Sequence, residues 1–194
     1  MPYATFLLAA LLFASVPMAS AQDAAPRVLI DFSEPDQADR WRIVNDNVMG
    51  GRSEGGPAFT DSTLVFSGST NTNGGGFSSI RTRAAGFALG DADGILVRYR
   101  ADGRTYEIGL QTGERAGGFP IAYRASFETA ASDGTWQEAK LPFTAFRGSS
   151  IGRPVEGAVL DPAGATVLEL FIYDGQDGPF RIEVDRIAAY TEPG

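Results

Sequence analysis

Residues 94–111 read GILVRYRADGRTYEIGLQ. Every second residue is apolar from Ile95 onward and again from Tyr106, which is the alternation of strands with one buried face. The two halves are separated by Asp102-Gly103, a dipeptide that supplies the positive φ angles of a two-residue turn. The stretch therefore predicts a β-hairpin whose apolar face lies in a core.

Similar short alternating runs recur along the chain and are separated by clusters of Gly, Asp, Asn and Pro. The predicted strands are Val28–Phe32, Trp41–Val44, Thr63–Phe66, Phe77–Thr82, Gly94–Arg100, Thr105–Thr112, Ile121–Phe127, Thr135–Leu141, Val167–Tyr173 and Phe180–Tyr190. Strong helical periodicity is absent. Many short strands joined by turn-rich segments are typical of a two-sheet sandwich. We therefore predict an all-β fold, a jelly-roll β-sandwich.

Composition excludes several classes of function. The 194 residues contain 24 Asp and Glu but 16 Lys and Arg, so the net charge is −8 and nucleic acid is not an expected partner. The chain has no His and no Cys, which removes Ser-His-Asp and Cys-His nucleophiles, thiol redox centres and Cys/His zinc sites. The single lysine, Lys140, lies in a predicted strand, which disfavours Schiff-base chemistry.

The N-terminal segment predicts export. Residues 5–16 form an apolar run with the length of a signal-peptide core, too short to span a bilayer, and the small residues Ala19-Ser20-Ala21 follow. The predicted organisation is a signal peptide at 1–21, a short tail at 22–27, one domain at 28–190 and a C-terminal tail at 191–194. After cleavage near Ala21 we expect a periplasmic or secreted protein without a transmembrane segment.

Two glycine-rich segments stand out. Residues 44–53 read VNDNVMGGRS and residues 69–77 read STNTNGGGF, and neither has the spacing of a phosphate-binding loop. In one interpretation the glycines permit tight turns while Asn and Asp satisfy local backbone groups. In the other, the loops bring Asn45, Asp46 and Asn73 together at a binding surface.

Three large side chains near these features have expected positions. Trp41 alternates with apolar neighbours and is expected in the core, whereas Trp136 shares its face with two charged residues and suits either the core or a sugar-stacking platform. Met49 is expected to be buried as a plug beneath its loop.

Paired carboxylates are the remaining route to catalysis, because glycosidic acid/base chemistry needs only two of them. The candidate pairs are Asp174 with Asp177 and Glu183 with Asp185. The first pair is interpreted as an ordinary turn and the second as a solvated strand face. A structural calcium site built from Asp31, Glu34 and Asp185 also stays open, since calcium prefers oxygen ligands. No other cofactor is expected.

Blocks of residues in a fixed order resemble a known family. The first blocks are Trp41-x-x-Val44-Asn45-Asp46-x-Val48-Met49-Gly50-Gly51-x-Ser53 and Asn73-Gly74-Gly75-Gly76-Phe77-x-Ser79-x-Arg81-Thr82. The later blocks are Gly94-Ile95-x-Val97-Arg98-x-Arg100-x-Asp102-Gly103-Arg104-x-Tyr106, Tyr123-x-Ala125-x-Phe127, Trp136-Gln137 with Leu141-Pro142-Phe143, and Gly178-Pro179-Phe180. They resemble the complex I intermediate-associated protein 30 family over essentially the whole predicted mature chain.

The resemblance implies a sandwich similar to galactose-binding domains and a chaperone-like role in assembling respiratory complex I, without catalysis. Together with the predicted export, it implies a binding protein of the cell envelope with a protein partner. The residues it marks for binding are Asn45, Asp46, Met49, Gly50, Gly51, Asn73, Gly75, Phe77, Arg81, Arg98, Asp102, Tyr106 and Trp136. In an alternative interpretation, some of these residues are purely structural, and Arg81 and Asp102 form an ion pair at the end of the sandwich.

Two alternatives stay open. A module for carbohydrate or another polar ligand would use a sheet face with Arg98, Arg100 and Arg124, and with Trp136 as an aromatic platform. An acid/base hydrolase would need two carboxylates about 5–10 Å apart in a cleft. The oligomeric state leaves no signature in the sequence.

Overall fold

The computed structural model of the protein describes residues 25–34, 37–60 and 62–193, and the predicted signal peptide lies outside these ranges. The strands are β1 (Arg27–Asp31), β2 (Trp41–Ile43), β3 (Glu54–Phe59), β4 (Leu64–Thr70), β5 (Ser78–Thr82), β6 (Gly94–Ala101), β7 (Thr105–Gln111), β8 (Arg115–Ala116), β9 (Phe119–Pro120), β10 (Ala122–Glu128), β11 (Gln137–Pro142), β12 (Arg147–Ser150), β13 (Arg153–Pro154), β14 (Val167–Ile172) and β15 (Gly178–Tyr190). The helical elements are short 3₁₀ turns at Gln37–Arg40, Asp46–Met49, Phe143–Ala145 and Pro162–Gly164. Within the described ranges, no helix has the length and apolar character needed to cross a membrane.

The strands form two antiparallel sheets. The six-stranded sheet has the order β11-β6-β15-β4-β3, and β1 also pairs with β15. The seven-stranded sheet has the order β13-β12-β10-β7-β14-β5-β2, while β8 and β9 form a separate small pair. A shared apolar core lies between the two sheets. The prediction of an all-β jelly-roll sandwich is therefore confirmed.

The core contains the apolar faces predicted from alternation. Val97 of the six-stranded sheet and Tyr106 and Ile108 of the seven-stranded sheet are fully buried. Trp41 is also buried, and its ring stacks on that of Phe32 at a centroid distance of 6.2 Å. The prediction that Trp41 belongs to the core is confirmed.

The predicted hairpin around Asp102-Gly103 is wrong. β6 lies in the six-stranded sheet and β7 in the seven-stranded sheet, so the turn carries the chain across the core from one sheet to the other. Gly103 does adopt the expected positive φ, at 92°. Alternation shows which side chains of a strand are buried. It does not show whether two successive strands pair in one sheet or lie in facing sheets, because in both cases their apolar side chains enter the same core.

The edge strand β3 carries the sequence EGGPAF and escapes prediction because Gly and Pro are rare in strands. Gly55 is required by close packing, since a Cβ there would lie 2.3 Å from the Ser78 hydroxyl oxygen and 2.6 Å from the Phe180 ring. Pro57 is accommodated at the sheet edge, where a missing N–H breaks no interior ladder.

Candidate functional site

The two glycine-rich segments meet around one buried carboxylate. Asp46 begins the 3₁₀ turn that follows β2, and its side chain is fully buried. Its Oδ1 accepts a hydrogen bond from the Ser53 backbone N–H at 2.8 Å, and its Oδ2 accepts from the Ser53 hydroxyl and the Gly76 N–H, both at 2.6 Å. We call this arrangement of Asp46, Ser53 and Gly76 the Asp46 clamp.

Glycine is required on two sides of the clamp. A Cβ on Gly51 would lie 2.2 Å from the Asp46 carboxyl carbon, and a Cβ on Gly75 would lie 2.5 Å from the Asp46 Cβ. Gly50 closes the turn with a left-handed φ of 87°. Both segments therefore use glycine to bring the backbone close to the carboxylate.

The clamp holds an ionised carboxylate. Burial acts to raise the pKa of Asp46, but the hydrogen bonds from Ser53 and Gly76 outweigh it and place the pKa below its ordinary value. Beside it, Asn45 donates to the Gly55 carbonyl at 3.0 Å and accepts from the Ser78 hydroxyl at 2.7 Å. The inward side chains of this motif thus tie neighbouring loops and strands together.

Met49 does not plug the loop. It is 60% exposed and its neighbour Val48 is 68% exposed, so the expectation of a buried Met49 is wrong. The space beneath the loop is occupied by the Asp46 carboxylate and by backbone. We call this exposed apolar pair the Val48–Met49 tip. Asn73, on the second segment, is also exposed.

A row of charged side chains crosses the outer face of the seven-stranded sheet. In register order its positions are Arg42, Arg81, Glu169, Gly109, Arg124 and Arg147, where Gly109 is the one position without a charge. We call it the arginine row. Arg81 lies 3.3 Å from Glu169, measured from Nε to Oε1, so the alternative of an ion pair between Arg81 and Asp102 is wrong.

Glu169 is the centre of this row. Its side chain is fully buried, and its Oε2 accepts from Arg124 Nε at 3.1 Å and from Arg124 Nη2 at 2.9 Å. Gln111 donates to its other oxygen. Arg124 reaches Glu169 across Gly109, where a Cβ would lie 2.9 Å from Glu169 Oε2. The glycine therefore makes room for an ion pair that spans three strands.

An aromatic cluster lies beside the arginine row. The Arg124 guanidinium carbon lies 4.2 Å from the Phe171 ring centre. Phe171 stacks on Phe77 at 5.3 Å and meets Tyr173 edge-on at 6.3 Å. Tyr173 is 59% exposed, so the cluster ends in an accessible ring.

The three arginines predicted to share one ligand-binding sheet face, Arg98, Arg100 and Arg124, do not lie on the same face. Arg98 and Arg100 lie in β6 of the six-stranded sheet, with their guanidinium carbons 5.1 and 4.3 Å from the centre of the Trp136 ring. Arg124 lies in β10 of the other sheet, on its outer face. The sandwich thus separates these arginines onto opposite outer surfaces.

Asp102 and Tyr106 have structural contacts. Tyr106 is fully buried, and its hydroxyl donates to Asp102 Oδ1 at 3.1 Å. Asp102 Oδ2 also accepts from the Arg181 N–H at 2.6 Å, which fixes the crossing between β6 and β7 against β15. Burial and the Asp102 charge both raise the pKa of Tyr106.

The carboxylates considered for catalysis are held by other groups. Asp174 accepts from Arg104 Nε at 2.8 Å, and the Asp177 carboxylate accepts from the Thr72 N–H at 2.6 Å. The pKa of Asp174 is lowered, because the hydrogen bond from Arg104 outweighs the effect of burial. Glu183 pairs with Arg100 at 2.7 Å.

Asp185 occupies a bulge in β15 and pairs with Arg98. Burial raises its pKa, against the lowering effects of Arg98 and Arg186. Asp185 and Asp31 line one shallow surface depression together with Arg186. Among the residues that the structure describes, no three acidic side chains are grouped to hold a metal ion, and the calcium site stays a prediction.

Three residues outside the predicted set complete these surfaces: Val48, Glu169 and Tyr173. Glu169 had a usable signal, since it is the only charge in the apolar strand Val167–Ile172 and must be matched by a partner if buried. The exposure of Val48 and Tyr173 could not be predicted from the sequence, because no sequence pattern separates an exposed apolar residue near a turn from a buried one.

Known proteins resemble this chain in sequence and in fold. Complex I intermediate-associated protein 30 of Drosophila melanogaster is 28% identical over 93% of this chain and 68% of its own length, and the mouse protein of that name is 26% identical over 86% and 57%. The family 11 carbohydrate-binding module of a cellulosomal cellulase from Clostridium thermocellum superposes with a TM-score of 0.65, covering 88% of this chain and 97% of the module at 13% identity. At that identity, the likeness concerns the fold alone.

The family relationship is carried by the sequence. The model of the family described as complex I intermediate-associated protein 30 matches residues 30–184, which include the Asp46 clamp, the arginine row and most of both sheets. The chain therefore belongs to the complex I intermediate-associated protein 30 family.

Proposed function

We propose that this protein is a non-catalytic binding protein that holds a protein partner at the Val48–Met49 tip. The observation that carries the proposal is the exposure of two adjacent apolar side chains, 68% and 60%, on a turn fixed by a buried carboxylate. A turn that is already ordered loses less conformational entropy on binding than a mobile loop does. Such a tip suits insertion into an apolar recess of a partner.

The family supports a protein as the partner. The curated relatives are named for association with intermediates of complex I. We infer that the partner is a component of a respiratory assembly. Because the sequence predicts export, the proposed location is the cell envelope, and the proposed contact is with a part of the partner that faces it.

The positions of the acidic residues support a role without catalysis. Asp174 is engaged by Arg104, and Glu183 is engaged by Arg100. A general acid or base must be free to exchange a proton with a substrate, whereas these carboxylates already accept hydrogen bonds from guanidinium groups. The family relatives are likewise named as associated proteins.

The experiment compares the tip with another exposed apolar site. The tagged protein would be purified after in-cell crosslinking from its own source cells, as wild type, as the double variant Val48→Ser/Met49→Ser, and as Val159→Ser. Val159 is 80% exposed and serves as the matched control. We expect one defined respiratory or envelope protein with wild type and with the control, and its loss with the double variant. Equal recovery with all three, or no specific protein with any, would refute the proposal.

A further inference from the structure

The outer face of the seven-stranded sheet carries an excess of positive charge on an acidic protein. The arginine row places four arginines beside one glutamate, whereas the whole chain has a net charge of −8. Glu107 and Glu128 lie on the same face and do not reverse the excess. Positive charge concentrated against the sign of the whole protein favours local binding of an anion.

Two arginines of the row differ in what they already bind. Arg124 gives three of its nitrogens to Glu169 and Ser149. Arg81 lies 3.3 Å from Glu169, but its Nε, though buried, makes no hydrogen bond within the described part of the chain. Glu169 therefore fixes Arg124 through hydrogen bonds, whereas it pairs with Arg81 through charge alone.

The positive charge of Arg81 is also disfavoured by its surroundings, and a nearby anion would stabilise it. Burial, against the opposing effect of Glu169, lowers the pKa of Arg81, and the neighbouring charges of Arg124 and Arg42 act in the same direction as burial. Arg42 stands opposite Arg81 in the row and is exposed. A carboxylate bound at the surface between Arg42 and Arg81 would balance their charges, because guanidinium groups bind carboxylates through paired hydrogen bonds.

The same face provides groups for the rest of a ligand. Tyr173, 59% exposed at the end of the aromatic cluster, offers a flat ring against which the C–H face of a sugar can stack. Glu107 accepts a hydrogen bond from Ser126 at 3.0 Å and can accept another from a ligand hydroxyl. Tyr173 lies four residues after Glu169, the register partner of Arg81, which is about 13 Å at strand spacing, so a ligand touching both ends must be longer than one sugar ring.

We propose that the outer face of the seven-stranded sheet binds a carboxylate-bearing oligosaccharide, with the carboxylate at Arg42 and Arg81 and a sugar ring on Tyr173. Uronic-acid oligosaccharides combine these chemical features. The site is separate from the Val48–Met49 tip and does not depend on the protein partner proposed above.

The test measures binding of three probes by isothermal titration calorimetry: an oligogalacturonate, a neutral mixed-linked β-glucan oligosaccharide and poly-L-glutamate. The variants are Arg42→Gln and Tyr173→Ala, which alter exposed side chains, and the matched control Arg181→Gln, an exposed arginine on the six-stranded sheet. Thermal unfolding of each variant confirms that it is folded.

We expect the oligogalacturonate to bind the wild type and the control alike, and to bind Arg42→Gln and Tyr173→Ala at least tenfold more weakly. The Val48→Ser/Met49→Ser variant should bind it unchanged, which separates this site from the tip. Equal binding of the neutral glucan would refute the role of the carboxylate, and equal binding of poly-L-glutamate would refute the role of the sugar ring. Absence of oligogalacturonate binding to the wild type would overturn the proposal.

Discussion

Replacing Asp46 with alanine should strongly destabilise the domain. The substitution removes the acceptor of three hydrogen bonds, two from backbone N–H groups and one from the Ser53 hydroxyl. The hydroxyl can turn toward the Asn71 carbonyl, 3.5 Å away, but the two buried N–H groups have no such freedom. Each unsatisfied donor costs about 1–3 kcal/mol, so we expect a loss of about 4 kcal/mol.

The loss is measurable as a shift in thermal midpoint. For a domain of this size, 1 kcal/mol corresponds to about 2–4 °C, which predicts a decrease of about 8–16 °C for Asp46→Ala. The matched control is Asp133→Ala, because Asp133 accepts similar hydrogen bonds from Thr135 in an exposed turn. The control should unfold close to wild type, since water can replace the lost acceptor.

The same measurement has a defined dependence on pH. The pKa of Asp46 in the folded protein lies below its ordinary value of 3.8, so its stabilisation is complete above that value and is lost as the pH falls through the folded pKa. The difference between wild type and Asp46→Ala should therefore stay constant from pH 7 to about pH 5 and shrink below about pH 4. A variant that unfolds within 2 °C of wild type at pH 7 would refute the clamp.

Three further substitutions test contacts elsewhere in the sandwich. Glu169→Gln should lower the free energy of unfolding in urea by about 3 kcal/mol, because it leaves two part-buried arginines without their counter-charge; an unchanged urea midpoint would argue against this pairing. Gly109→Ala should cost about 1–3 kcal/mol in the same assay, because its Cβ would lie 2.9 Å from Glu169 Oε2. Arg104→Gln should free the segment that contains Asp174, measured as faster limited proteolysis between β14 and β15, and equal cleavage rates would contradict it.

The ten predicted strands were recognisable from their alternation, whereas the edge strand β3 and the short strands β8, β9, β12 and β13 were missed. The assignment of the strands to sheets was not predictable. The segments on either side of Asp102-Gly103 bury the same kinds of side chain whether they pair with each other or face each other across a core. The structure places them in facing sheets, where Tyr106 and Asp102 fix the crossing. Pairing depends on contacts between residues far apart in the chain, which local periodicity does not contain.

The glycine-rich motif illustrates what sequence could tell about the site. Its unusual composition predicted either tight turns or a binding surface, and the structure shows backbone packed around the buried Asp46 carboxylate. The exposure of Met49 follows from that same packing, because the carboxylate takes the space in which a plug would lie. The sequence therefore indicated that these loops have special backbone requirements, but it did not indicate which of their side chains are exposed.

The polar-ligand surface illustrates the opposite case. Arg98, Arg100 and Arg124 all alternate outward from apolar neighbours, so sequence alone placed them on one face. Local alternation predicts which side chains of a strand point to solvent. It does not predict on which of the two outer surfaces of the sandwich they lie, because that depends on the sheet to which the strand belongs. The arginine row became visible only through the register of strands that are distant in sequence.

The central claim is that the Asp46 clamp presents the Val48–Met49 tip to a protein partner. Its most direct test is to place a photo-crosslinking amino acid at Val48 in the protein expressed in its own source cells, with the same substitution at Val159 as the control, and to identify the products by mass spectrometry. We predict one dominant protein adduct from position 48, absent from position 159. The same adducts from both positions, or none from position 48, would contradict the claim.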